Sequence, residues 1–219
     1  MRWLRYANGD HYKGAFERDE KHGFGRFTFA SGALYVGEFI EGRKHGRGEY
    51  SFTDGAKYVG DFKNEKRTGD GYYKYAHGGV YEGEFKNGLR HGKGKYLCHT
   101  GFKYDGGWKD DVKHGYGHCK YVNGDIFQGE FANDLRHGEG TAWYDDGKIY
   151  IGGFRNDKFH GFGTMRSAKG NVMYKGEYID GHKVVTNMSS PKSRDNTTLA
   201  AEKALGRGTI FRSPGGARR

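Results

Sequence analysis

Residues 35–57 read YVGEFIEGRKHGRGEYSFTDGAK, and this stretch decides the fold. Tyr35, Gly37 and Phe39 alternate with Val36 and Glu38, the period of two that sends successive side chains to opposite faces of a strand. Ile40 to His45 reads as a polar connection. The alternation resumes, with Gly46, Gly48, Tyr50 and Phe52 on one face and Arg47, Glu49 and Ser51 on the other. Asp54-Gly55 then supplies a tight turn into Tyr58. The segment is a β-hairpin whose exit is itself a hairpin turn, so copies placed in series make an antiparallel meander.

The copies are present. Tyr12, Tyr35, Tyr58, Tyr81, Tyr104, Phe127 and Tyr150 open units of 23 residues each. A turn glycine recurs at Gly9, Gly32, Gly55, Gly78, Gly101, Gly124, Gly147 and Gly170. Paired glycines recur at Gly23/Gly25, Gly46/Gly48, Gly69/Gly71, Gly92/Gly94, Gly115/Gly117, Gly138/Gly140 and Gly161/Gly163. Glycine inside a strand weakens it unless space is needed there. The expectation is a strongly curved sheet with tyrosine and phenylalanine rings packed over glycine backbone. One hairpin cannot bury a core alone, so the units must stack.

Partial units flank the seven full ones, a leading one over 3–11 and a trailing one over 174–183. One leading strand, fourteen from the full units and one trailing strand make sixteen. At ~4.8 Å per strand, such a sheet extends roughly 75 Å. The step from Tyr150 to Tyr174 holds one residue more than the others, which places a bulge or wider turn among Asn171, Val172 and Met173. The expected architecture is all-β, an elongated single-layer meander over 1–183. A basic tail follows over 184–219, with a short helix over 197–205.

The run Tyr81-Glu82-Gly83-Glu84-Phe85-Lys86-Asn87-Gly88-Leu89-Arg90-His91-Gly92-Lys93-Gly94 resembles the MORN repeat (membrane occupation and recognition nexus). Departures are mild: Thr68 stands where other units have histidine, Trp108 replaces Phe, and Phe127 replaces Tyr. The resemblance implies a non-catalytic scaffold of the kind found in radial spoke heads and other axonemal complexes of cilia and flagella, and in cytoskeletal collars. It also links such repeats to phosphoinositides and membrane junctions, which makes an anionic membrane surface the alternative partner.

The rest of the sequence narrows these readings. The chain has 219 residues, 40 of them glycine, and aromatics make up 16%. A core rich in leucine and valine is unavailable to it. There is no apolar run long enough for a spanning helix, and Met1-Arg2-Trp3-Leu4-Arg5-Tyr6 lacks the apolar core of a signal peptide, so a cytosolic protein is expected. Cys98 and Cys119 have no metal-site spacing and lie two strands apart, so two reduced, semi-buried thiols are expected.

The recurring His22, His45, His91, His114, His137 and His160 sit on successive hairpins, too far apart to share one ion, and Thr68 breaks their series without breaking the repeat. They read as structural residues bonding the neighbouring backbone. The same groups recur evenly, with no unique nucleophile–base set, so neither catalysis, cofactor nor metal is expected.

Tyr35, Phe39, Tyr58, Phe62, Tyr81, Phe85, Tyr104, Trp108, Phe127 and Phe131 form regular rows, read as core that also lines a protein-binding groove. Arg43-Lys44, Lys66-Arg67, Arg90 and Arg136 alternate with Glu20, Glu41, Asp110 and Asp134, the pattern of a solvated face rather than a nucleic-acid site. Formal net charge is +10, and Val185–Arg219, with seven Lys/Arg against two Asp/Glu, supplies +5 of it. Arg207, Arg212, Arg218 and Arg219 are the expected tail contacts, made either over the last sheet edge or on a partner in a larger assembly. The uncapped end strands at Leu4–Tyr6 and Tyr174–Tyr178 suit end-to-end homodimerisation.

Overall fold

A computed structural model describes residues 2–185, and among these there is no helix. The chain opens with β1 (Arg2–Arg5). Seven hairpins follow: β2 (His11–Glu17) with β3 (Glu20–Thr28), β4 (Leu34–Ile40) with β5 (Arg43–Ser51), β6 (Lys57–Lys63) with β7 (Lys66–Lys74), and β8 (Val80–Lys86) with β9 (Leu89–Leu97). The series continues with β10 (Lys103–Lys109) and β11 (Val112–Lys120), β12 (Ile126–Ala132) and β13 (Leu135–Trp143), then β14 (Ile149–Arg155) and β15 (Lys158–Arg166). β16 (Val172–Ile179) and a two-residue β17 (His182–Lys183) end it. Every strand pairs antiparallel with its neighbours in sequence, so the sheet is one meander of seventeen strands. The strand beyond the sixteen expected is β17, because the trailing unit closes into a hairpin through Asp180-Gly181.

The connection expected over Ile40–His45 shrinks to two residues. Glu41 (φ 48°) and Gly42 (φ 73°) both take left-handed backbone, and Ile40 pairs directly with Arg43. Two consecutive positive φ angles make a type I′ turn, whose twist matches that of the strands it joins. The longer turn at the other end closes with Gly55 N–H donating to the Phe52 carbonyl at 3.2 Å and Phe52 N–H donating to Ala56 O at 2.9 Å.

Alternation also fails locally at Gly46. Gly37 pairs with Gly48 but Glu38 pairs with His45, so Gly46 and Arg47 are two extra residues bulged out of β5. Gly46 takes φ 55° there. An insertion of two preserves the face of every side chain beyond it, so Lys44 and Gly48 lie on the same side as Tyr50. A one-residue bulge occurs at Met173: Met165 pairs with Tyr174 and Arg166 with Val172, which absorbs the extra residue of the last unit.

The glycines under the aromatic rings come into register across the whole sheet. Gly37 opposes Gly48, Gly48 opposes Gly60, and the series continues without a gap from Gly14 on β2 to Gly176 on β16. On one face the tyrosines lie over this lane. A Cβ on Gly48 would stand 2.4 Å from the Tyr35 hydroxyl and 2.5 Å from its ring, closer than any side chain is tolerated. The two glycines of each pair therefore serve different ends: Gly46 permits the bulge and Gly48 makes room for the ring.

Candidate functional site

The aromatic rows form a continuous interlocked core. Tyr35 meets Phe39 of its own unit edge-on at 5.1 Å and Phe62 of the next at 5.0 Å. Tyr58 repeats this with Phe62 and Phe85, Tyr81 with Phe85 and Trp108, and Tyr104 with Trp108 and Phe131. Phe127 makes the same contacts with Phe131 and Phe154. Edge-to-face pairs at these separations add roughly 0.5–1.5 kcal/mol each beyond area burial. Each tyrosine hydroxyl donates to a carbonyl three residues on, as Tyr35 does to Glu38 O at 3.0 Å and Tyr81 to Glu84 O at 3.0 Å. Burial pushes the phenols of Tyr35, Tyr58, Tyr81 and Tyr104 well above their ordinary value.

This placement corrects the expected groove lining. Tyr35, Phe39, Tyr58, Phe62, Tyr81, Phe85, Tyr104, Trp108, Phe127 and Phe131 are all 0–5% exposed, so the structure brings them together as core and leaves them no free ring face. On this face the accessible aromatic surface is the neighbouring rim, where Tyr50, Phe52, Tyr73, Tyr75, Tyr96 and Phe102 are only partly buried against that core.

A second correction concerns Lys44, Arg67, Arg90 and Arg136 among the basic residues assigned to a solvated face; Arg43 and Lys66 are exposed, as expected. Lys21, Lys44, Arg67, Arg90, Lys113 and Arg136 stand one unit apart on the aromatic side. Arg90 lies 4.1 Å from the Trp108 ring centre, Lys21 4.5 Å from Phe27, and Arg67 5.0 Å from Tyr73. Cations over ring faces are attracted by the ring quadrupole, and their aliphatic stems cover apolar surface.

Several of these cations also tie their hairpin to the next. Arg90 donates from Nε to the Asp111 carboxylate at 3.0 Å and from Nη2 to the Asp111 carbonyl, while Asp111 N–H donates to Arg90 O at 3.0 Å. Arg136 with Asp157 repeats the arrangement, and Lys44 pairs with Glu65 at 2.8 Å. Where the turn carries Gly88 instead of an acid, Arg67 donates to the Gly88 carbonyl at 2.6 Å. Lys44 was hidden in the sequence by the assumption of a long loop; its spacing from Phe39 across a two-residue turn is the signal that places it inward.

The histidines lie near the hairpin tips. His91 Nδ1 is 3.5 Å from Asp110, His160 Nδ1 is 3.5 Å from Asp180, and His22 Nε2 is 3.3 Å from Glu17. At these three the near partner is a carboxylate; a backbone contact of the expected kind is seen at His160, whose Nδ1 accepts from Asp180 N–H at 3.5 Å. Both cysteines are free thiols. Cys119 is buried, more fully than expected, and burial raises its pKa, whereas hydrogen bonding from Thr100, whose hydroxyl lies 3.2 Å from the sulfur, lowers that of Cys98.

On the opposite face of the sheet an open groove of about 560 Å³ runs over glycine backbone between Arg47, Val59, Asp70, Tyr72, Glu82 and Lys95, with charges of both signs in its walls. Arg207, Arg212, Arg218, Arg219 and the helix expected over 197–205 lie outside the described residues.

The MORN repeat family matches residues 12–34, 35–57, 81–102, 104–126, 127–149 and 150–172, more than half of the chain. The unit from Tyr58, which carries Thr68, is not among the matched segments, yet its hairpin of β6 and β7 has the same register and the same ring-over-glycine contact. No curated protein sequence matches the chain.

Among solved structures, the chain is similar to the TCP domain of SAS-4 (dCPAP) from Drosophila melanogaster in complex with a proline-rich motif of Ana2 (dSTIL). Identity is 14% over 80% of this chain and 90% of that one, with a TM-score of 0.44. It is also similar to the wild-type TCP10 domain of Danio rerio CPAP, at 14% identity over 81% of this chain and 100% of that one, with a TM-score of 0.24. At these scores the likeness says nothing of this chain's own partners.

Proposed function

The chain belongs to the MORN-repeat family, and on that footing we propose that it is a non-catalytic scaffold joining other proteins, as a component of a ciliary or flagellar axonemal complex such as a radial spoke head. The observation that carries this reading is repetition itself. The six full units opening at Tyr12 to Phe127 each set a lysine or arginine over buried rings, and the seventh stacks Phe159 on Tyr150 instead, so the surface offers one kind of contact many times rather than one convergent set of unlike groups. The partly buried rim of Tyr50, Phe52, Tyr73, Tyr75 and Tyr96 is where an extended segment of a partner would lie, with the cation series beside it.

Two experiments test this. Fractionation of the native protein should recover it with axonemes or cytoskeleton; recovery only with soluble enzymes would sink the assignment. Replacing Tyr73 and Tyr75 with serine should abolish partner capture by the rod while its thermal unfolding still shows a folded sheet. Binding to anionic vesicles in place of a protein partner, lost when Arg207, Arg212, Arg218 and Arg219 are neutralised, would favour membrane attachment instead.

A further inference from the structure

The face opposite the aromatic core carries, beside the glycine lane, a row of side chains that meet in pairs across neighbouring strands. Toward the C-terminal end these are Tyr116 with Glu130, Glu139 with Gly153, and Phe162 with Glu177. The strip therefore runs ring, acid, acid, glycine, ring, acid over β11 to β16.

Three features mark it. Tyr116 is 60% exposed and Phe162 75%, the latter among the most exposed large apolar side chains of the sheet. Glu130, Glu139 and Glu177 are exposed, and among the described residues none has a lysine, arginine or histidine within ion-pair distance. Gly153 leaves the middle of the strip open. A Cβ there would stand 2.2 Å from the His160 carbonyl, so no side chain can fill the gap, and the Glu139 carboxylate lies 3.6 Å from that point. Partial burial, and then the neighbouring Glu130, hold the Glu139 carboxyl above its ordinary range, as expected of an acid facing a like charge.

We propose that this strip is a docking surface for an extended, arginine- or lysine-bearing segment of a partner protein. Charge complementarity identifies the occupant: three carboxylates with no ion-pair partner among the described residues, on a chain whose net charge is +10. The exposed rings at either end accept a guanidinium or ammonium over their faces. From Tyr116 on β11 to Phe162 on β15 is four strand spacings, about 19 Å at ~4.8 Å each, which six residues of extended chain span at ~3.3 Å per residue. The surface lies on the other side of the sheet from the aromatic rim, so the rod would engage two partners at once.

The test uses the full chain and a fluorescein-labelled hexapeptide alternating arginine and serine, with binding read by anisotropy. Binding is expected, weakening as salt rises from about 50 to about 300 mM. Glu130→Gln with Glu139→Gln should weaken it about tenfold, as should Phe162→Ser, while Glu41→Gln at a hairpin tip leaves it unchanged. Unchanged thermal unfolding of these surface variants excludes misfolding as the cause. Equal binding to the wild type and the Glu130→Gln/Glu139→Gln variant, or equal binding of an alternating glutamate–serine peptide, overturns the proposal. Replacing Arg207, Arg212, Arg218 and Arg219 with glutamine should leave the affinity as it was. A several-fold gain would make the chain's own C-terminal segment the occupant and overturn the assignment to a partner.

Discussion

Replacing Gly94 with alanine should destabilise the sheet by about 2–4 kcal/mol, and the structure says why. The new methyl would stand 2.3 Å from the Tyr81 hydroxyl and 2.5 Å from its ring. That ring cannot retreat, because it is fully buried and held edge-on between Phe85 at 5.2 Å and Trp108 at 5.3 Å. Overpacking a rigid site costs roughly 1–3 kcal/mol. Pulling the hydroxyl off the Glu84 carbonyl, now 3.0 Å away, adds about 1 kcal/mol more. Gly88→Ala is the control. Gly88 has φ 89° but nothing within 4 Å of its Cβ position, so only the backbone term of about 1 kcal/mol applies.

Urea unfolding followed by tryptophan fluorescence and circular dichroism measures both variants. Adding Tyr81→Leu to Gly94→Ala should recover part of the loss, giving a double-mutant coupling of at least 1 kcal/mol. If Gly94→Ala costs no more than Gly88→Ala, or its loss adds independently to that of Tyr81→Leu, then the rings do not dictate the glycines and the account of the core fails.

Arg90→Ala should cost about 2 kcal/mol, from the lost stacking on Trp108 and the charged hydrogen bonds to Asp111, and Arg90→Lys about half as much; equal stability of Arg90→Ala and wild type would return Arg90 to the solvated face. The buried phenols of Tyr35, Tyr58, Tyr81 and Tyr104 are raised in the folded state, so the unfolded chain ionises first, near pH ~10. Stability should hold below that pH and fall as pH rises through it, seen as absorbance at 295 nm lagging behind that of free tyrosine until the sheet melts. Ellman's reagent should modify Cys98 in the folded protein at once and Cys119 only on unfolding, and Thr100→Val should slow the first reaction; two thiols reacting alike would contradict their placement.

Much of the fold was legible because strand alternation and a fixed period reinforce one another. Tyr35, Gly37 and Phe39 declare a face, and 23 residues later Tyr58, Gly60 and Phe62 declare it again. The need for space over Gly48 could be inferred from the recurrence of paired glycines inside strand-patterned runs. Lys44 could not be placed so simply. Hydropathy assigns lysine to water, and only the two-residue turn at Glu41-Gly42 and the even-numbered bulge at Gly46-Arg47 turn it onto the aromatic side. The same regularity misled the reading of the site: rows of tyrosine look alike whether they are displayed or buried, and the distinction between Tyr81 and Tyr75 depends on ring packing. The strip at Glu130 and Glu139 was illegible because its members are scattered over six strands and become neighbours only through register.

The glycine lane makes the sheet a ruler with a fixed graduation. Adding or deleting a whole unit leaves every remaining glycine opposite another, and every ring still seated. A change of one residue inside a unit would instead throw all downstream side chains onto the wrong side. The single odd residue in the series is at Met173, beyond the last complete unit, where the bulge confines its effect to one strand pair. Length can therefore vary in whole steps, and a partner that spans several hairpins meets the same spacing wherever along the rod it binds.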